Sequence, residues 1–146
     1  MDKSMRTLRF FILATCSLGI FSISVRGREN VKIIANSRIK ASAISADELK
    51  SIFLRETNSL GDGTHVEPVL ERDGPVHESF IKAYLGRSDA ALQSYYRSLI
   101  FTGKASMPKT VGSDDEVIGY VERTAGAIGY VSAGANTAGV KTLAIK

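Results

Sequence analysis

Thr124-Ala-Gly-Ala-Ile-Gly-Tyr-Val-Ser-Ala133 constrains the fold more than any other stretch, because it is an apolar run directly after a helical segment with glycines at two fixed places. Ala127, Ile128, Tyr130 and Val131 leave no polar face, which predicts a strand inside a sheet covered on both sides. Gly126 supplies a residue that accepts positive φ where helix gives way to strand. Gly129, within the run, implies that another backbone or a bound group approaches closely.

A buried strand needs layers around it, and the rest of the chain offers them in order. Residues 31–35, Val-Lys-Ile-Ile-Ala, form a β-branched run suited to an interior strand, and residues 36–42 read as a polar connection. Ser45-Ala-Asp-Glu48 is a capping box, and Leu49, Ile52 and Phe53 follow at helical spacing, predicting a helix from about Ala46 to Arg55. Residues 58–64 are dense in turn formers. Residues 65–70 alternate like a strand, although Pro68 donates no hydrogen bond and so points to an edge or a bulge.

Asp73-Gly-Pro75 punctuates the start of a second helix with the stripe Phe80, Ile81, Tyr84 and Leu85, ending at Gly86. A third helix opens at Ser88, carries Leu92, Tyr95, Tyr96, Leu99 and Ile100, and stops at Gly103. Residues 102–111 read as a loop. Ser113-Asp-Asp-Glu116 is a second capping box, opening a helix with Val117, Ile118 and Val121, and after the glycine-rich turn at 134–139 a last strand spans 140–145. The order β, α, β, α, α, α, β, β belongs to an α/β architecture, a layered sheet flanked by helices.

Charge and hydropathy set the N-terminus apart. Lys3, Arg6, Arg9 and Arg26 against Asp2 place a net +3 before Gly27, leaving +1 of the chain's +4 for everything after it. The mature surface is therefore not concentrated enough in cations for nucleic acid. The basic start precedes an apolar block at 10–25, the pattern of a signal peptide over residues 1–27, cut between residues 24 and 29, with residues 28–146 as one exported domain. A retained anchor is the rival reading, but about 16 residues fall short of the about 20 that a membrane span needs. The membrane then matters only through the leader during export. Cys16, the one cysteine, lies in this block, so the exported domain has no disulfide, and Leu13-Ala-Thr-Cys16 is a weak version of a lipid-attachment signal.

Ser45-Ala-Asp-Glu-Leu-Lys-Ser-Ile-Phe-Leu54, the segment from Phe80 ending in Tyr-Leu-Gly86, Ile100-Phe-Thr-Gly-Lys104 with Pro108, and Gly126-Ala-Ile-Gly-Tyr-Val131 occur in an order and spacing that resemble the phosphate ABC-transporter substrate-binding proteins. The likeness is to short, single-lobe members of the type-2 periplasmic binding-protein group and covers nearly all of residues 31–146. It implies one lobe of such a protein, a periplasmic location, phosphate or a related oxyanion as ligand, no cofactor, and ABC-transporter membrane subunits or a second lobe as partners. In the family, the loop before the second helix carries an arginine and a Ser-Asp-Gly-Ser-Gly-Thr-like run. Here it reads Glu71-Arg-Asp-Gly-Pro-Val-His-Glu78: Glu71 stands at the arginine's place, Arg72 is one position on, and Pro75, Val76 and His77 replace the Ser-Gly-Thr portion.

The candidate ligand-binding residues are therefore Arg72, Asp73, Gly74 and the amides of Val76 and His77, an anion cradle at a helix start whose plain alternative is a turn and a cap. Thr102, Gly103, Lys104 and Ser106 either close over a ligand or form a solvated loop. His65, Glu67, Glu71 and His77 match no zinc spacing. No Gly-x-Ser-x-Gly, phosphate loop or catalytic cysteine phrase appears, so nothing in the residues argues for an enzyme. An interaction module that kept the lobe and lost the ligand is the alternative function.

Overall fold

The computed structural model describes residues 30–146, so the expected leader at 1–27 and Cys16 lie outside the described residues. Six strands, β1 (Val31–Ala35), β2 (Ala43–Ile44), β3 (Glu67–Glu71), β4 (Lys109–Val111), β5 (Ala127–Ser132) and β6 (Lys141–Ile145), form one mixed sheet in the order β2-β6-β1-β5-β3-β4. The helices are α1 (Ala46–Phe53), α2 (Pro75–Phe80), which runs on through a π turn over Ile81–Leu85, α3 (Asp89–Phe101) and α4 (Asp114–Arg123). Among the described residues no helix is long and apolar enough to cross a membrane.

The opening stretch is β5, and it lies inside the sheet, antiparallel to β1 and parallel to β3. Its alternation divides the core. Ile128 and Tyr130 join the large cluster under α1, α2 and α3, while Ala127 and Val131 join the smaller one under α4. Gly126 has φ +80, and a Cβ there would meet the His65 carbonyl oxygen at 2.9 Å, so both conformation and space require glycine. At Gly129 the close neighbour is neither backbone nor ligand: a Cβ would come within 2.8 Å of Val117 Cγ1, so the missing side chain is what lets α4 settle on β5.

Two short strands were not foreseen. β2 follows directly after the expected connection at 36–42, which itself stays out of the sheet, and the expected loop at 102–111 ends in β4, whose three residues pair with Val69, Leu70 and Glu71 of β3. Because β4 covers that flank, β3 is an interior strand rather than the edge that Pro68 implied. The proline is tolerated because it pairs with Ile128 on the β5 side, while β4 first engages one residue later at Val69. The polar connection after β1 is also part of the core. Ile39 and Asn36 are buried, and the Asn36 side-chain amide donates to the carbonyls of Val121 at 2.8 Å and Glu122 at 3.0 Å, satisfying the last turn of α4.

Helix starts follow the sequence closely. The hydroxyls of Ser45, Ser88 and Ser113 accept from Glu48, Ala91 and Glu116 three residues on. The tyrosines of α3 lie against α1: Tyr95 and Tyr96 donate to the carbonyls of Leu54 and Phe53 at 2.7 and 2.5 Å, closing the end of α1. The end of α3 departs from the expected stripe. Ile100 is half exposed and Phe101 is 93% exposed, because this last turn projects past the layer beneath it.

Candidate functional site

Strands β3, β4 and β5 are mutually parallel, so Glu71, Val111 and Ser132 end together at one margin of the sheet, where α2 and α4 begin. In open α/β sheets this carboxyl margin is where ligands collect. The predicted loop residues, Arg72, Asp73 and Gly74, cross it. Arg72 donates its main-chain N–H to the Val111 carbonyl at 2.8 Å, and its side chain, like that of Asp73, is exposed.

The two helix starts at this margin differ. At α4 the chain supplies its own acceptors: the Ser113 hydroxyl takes the Glu116 N–H, and the Glu116 carboxylate takes the Gly112 N–H at 2.8 Å. Asp114 accepts from the Ser132 N–H at 3.1 Å and from the Ser132 hydroxyl at 2.5 Å, tying α4 to the end of β5. At α2, Gly74 occupies the cap position with no side chain to accept, and Pro75 has no N–H. The Glu78 N–H reaches the Gly74 carbonyl at 3.0 Å, while helix geometry leaves the amides of Val76 and His77 without a main-chain partner in their own helix.

His77 contributes its amide to this start, but its ring is not part of any open cradle. It is buried, with Nδ1 2.6 Å from the Tyr130 hydroxyl and Nε2 3.0 Å from Asp89 Oδ1. The Tyr130 hydroxyl also accepts the Glu71 N–H at 2.9 Å, so its own hydrogen is directed at Nδ1, and Nε2 donates to Asp89. Phe80 stacks on the Tyr130 ring at 3.8 Å. This chain of bonds fixes the end of β3, the centre of β5 and the first turns of α2 and α3 relative to one another. Burial pushes the Tyr130 hydroxyl far above its ordinary range, which keeps it a donor.

Glu71 is the residue that sequence reasoning placed but did not include in the site. By strand alternation it shares the α4 side of the sheet with Val69, is only 7% exposed, and its Oε2 is buried with no hydrogen-bond partner among the described residues. Burial, and after it the nearby carboxylates of Asp114 and Asp73, push its pKa up to about 7. The only sequence signal was an acidic residue at the end of an apolar strand. The clamp of Asp114 on Ser132 gave none, because its partners lie 18 residues apart.

Other candidates are not brought together. Thr102, Lys104 and Ser106 precede β4 and so lie at the opposite end of the parallel strands from Arg72; Lys104 lines a shallow hollow with Arg55, Glu56, Thr57 and Asn58. His65 pairs with Glu67 at 2.9 Å at the start of β3, a strand's length from Glu71 and His77, and among the described residues no group of three or more His, Cys, Asp or Glu side chains can hold a metal ion. A depression of about 570 Å³ lies beside the π turn and the start of α3, lined by Glu78, Ile81, Lys82, Arg87, Ser88 and Asp89, rather than over the 72–74 loop.

Comparison with solved structures gives the architecture a context. A phosphate ABC transporter substrate-binding protein from Clostridium perfringens, described with bound phosphate, superimposes with a TM-score of 0.61 at 13% identity over 80% of this chain and 44% of its own. The fold is similar to one lobe of that protein. An ABC-type phosphate transport receptor from Vibrio cholerae (TM-score 0.53, 12% identity, 80% of this chain, 46% of its own) and PstS from Borrelia burgdorferi (0.52, 19%, 80% and 47%) share the lobe. This chain thus spans less than half the length of these solved proteins. No protein-family model matches the sequence, and no curated protein matches it.

Proposed function

We propose that this chain is an exported, non-enzymatic solute-binding-like lobe that captures phosphate or a related oxyanion at the open start of α2. The observation that carries the reading is the uncapped helix start at the carboxyl margin of parallel strands, on the lobe shared with a protein described with bound phosphate. Arg72 offsets the ligand's charge, the amides of Val76 and His77 orient it, and Asp73 and Gly74 shape the turn. The leader pattern at 1–27 and these structural neighbours support a periplasmic location, with ABC-transporter membrane subunits or a second lobe as partners. A lone lobe leaves the ligand in contact with water, where charge pairing is weak, so affinity is low until a second lobe covers it.

Calorimetry of the leaderless domain in phosphate-free buffer, with phosphate and then sulfate, tests this. Millimolar or tighter binding, lost in Arg72→Ala, is the expected result. Absence of heat with either anion overturns capture. The second reading, an envelope interaction module, is favoured by the exposed Ile100 and Phe101 at the end of α3 and the exposed Met107 in the loop that follows.

A further inference from the structure

We propose that the projecting end of α3 and the loop after it form a tip that rests on an anionic lipid surface. This goes beyond the capture reading and does not depend on it. The large apolar side chains exposed among the described residues, Ile100, Phe101 and Met107, all fall within this one stretch. Scattered singly they would need no explanation, but gathered on one turn they form a contact surface. The turn itself is firmly closed. Gly103 takes φ +69, its N–H donates to the Ile100 carbonyl at 3.0 Å, and the Lys104 N–H donates to the Leu99 carbonyl at 2.9 Å. That closure uses nothing from the Phe101 ring, which is held in solvent on an ordered turn rather than on a fraying end.

Charge and shape choose the occupant. Residues 90–113 contain Arg97, Lys104 and Lys109 and no acidic residue, and all three cations are exposed. None of the three enters an ion pair among the described residues. Carboxylates from neighbouring elements are largely offset: Glu56 shares the hollow of Lys104 with Arg55, and Asp115 and Glu116 share that of Lys109 with Arg123, Glu116 being turned back to the Gly112 N–H. A second copy of the chain would set these cations against their own kind across a two-fold contact. A protein partner would need a preformed pocket for a convex tip. A bilayer needs neither, because the apolar side chains enter the acyl boundary while arginine and lysine stay among the headgroup phosphates. Three side chains and three cations are each a weak signal, so contact is reversible and requires both.

The test uses residues 28–146, which carry the whole six-stranded sheet and both core clusters, since the apolar block at 10–25 would bind lipid by itself. Vesicles of phosphatidylcholine alone are compared with vesicles of equal parts phosphatidylcholine and phosphatidylglycerol, with co-sedimentation as the readout. Binding should be about tenfold or more tighter to the mixed vesicles and should weaken several-fold as salt rises from about 0.1 to about 0.5 M. Phe101→Ser should weaken it about tenfold with no change in melting temperature, and Lys104→Ala about fivefold on mixed vesicles only. The chain has no tryptophan, so Phe101→Trp adds a single reporter whose emission should move to the blue on mixed vesicles. Arg72→Ala, at the opposite end of the parallel strands, should bind vesicles like the parent, so a failure of anion capture leaves the tip standing. No binding to mixed vesicles, full binding by Phe101→Ser, or tryptophan emission unmoved by lipid overturns the proposal. A lipid-free dimer in sedimentation that Phe101→Ser abolishes also overturns it, assigning the tip to a second copy.

Discussion

Gly129→Ala isolates the contact on which the packing of α4 depends. The new Cβ would lie 2.8 Å from Val117 Cγ1, 3.5 Å from Val121 Cγ2 and 3.6 Å from Val69 Cβ. Val117 is fully buried, and a β-branched side chain in a helix has one strongly preferred rotamer, so it has no way to swing aside. Either α4 lifts or β5 bends. Overpacking of this kind costs about 1–3 kcal/mol, partly offset by the about 0.5–1 kcal/mol that alanine gains over glycine in a strand. A net loss of about 1–2 kcal/mol is expected, seen as a lower urea midpoint at unchanged m-value and a melting point several degrees lower. Val117→Ala alone should cost about 1–3 kcal/mol for its two lost methyl groups and the cavity they leave. Combined, the two changes should cost less than their sum by about 0.5 kcal/mol or more, since the first creates the clash that the second removes. A Gly129→Ala protein as stable as the parent, or strict additivity in the double variant, would refute the reasoning.

Two further outcomes follow from the buried polar groups. Glu71 has its pKa raised from 4.5 to about 7 in the folded chain, so between those values the folded state holds a proton that the unfolded state releases; the stabilisation is complete below about pH 4.5 and is lost as pH rises through 7. Thermal or urea unfolding without ligand should show Glu71→Gln gaining about 2–3 kcal/mol over the parent between pH 5 and pH 8, and a constant difference across that range would contradict the assignment. Tyr130→Phe strips the Glu71 N–H of its acceptor and His77 Nδ1 of its donor at once. A loss of about 2–4 kcal/mol in urea unfolding is expected, and a change under 0.5 kcal/mol would show that the buried bonds are not made in solution.

Elements set by short-range grammar were readable in the sequence. The capping serines 45, 88 and 113 mark the helix starts they were expected to mark, and the β5 run lies inside the sheet as its missing polar face required. What escaped was decided by partners far along the chain. Residues 109–111 have no strand pattern of their own and become β4 only because β3 offers an edge, and Asn36 reads as a loop residue until the end of α4 arrives above it. At the candidate site the turn at 72–74 and the start at Pro75 were legible. The burial of the His77 ring was not, because its two partners, Tyr130 and Asp89, come from other elements. The unpartnered Glu71 oxygen was equally invisible, since the carboxylate beside it belongs to α4.

Strand β1 is held between β5 and β6, partners about a hundred residues downstream. Its Val-Lys-Ile-Ile-Ala sequence is among the first of the described residues to be synthesised, yet its β6 neighbour is made about a hundred residues later. The sheet cannot close until β6 has been made, and loops of that length make closure slow. Meanwhile an apolar strand with two unpaired sides awaits its partners, a natural target for holding chaperones and, should β6 be truncated, for self-association.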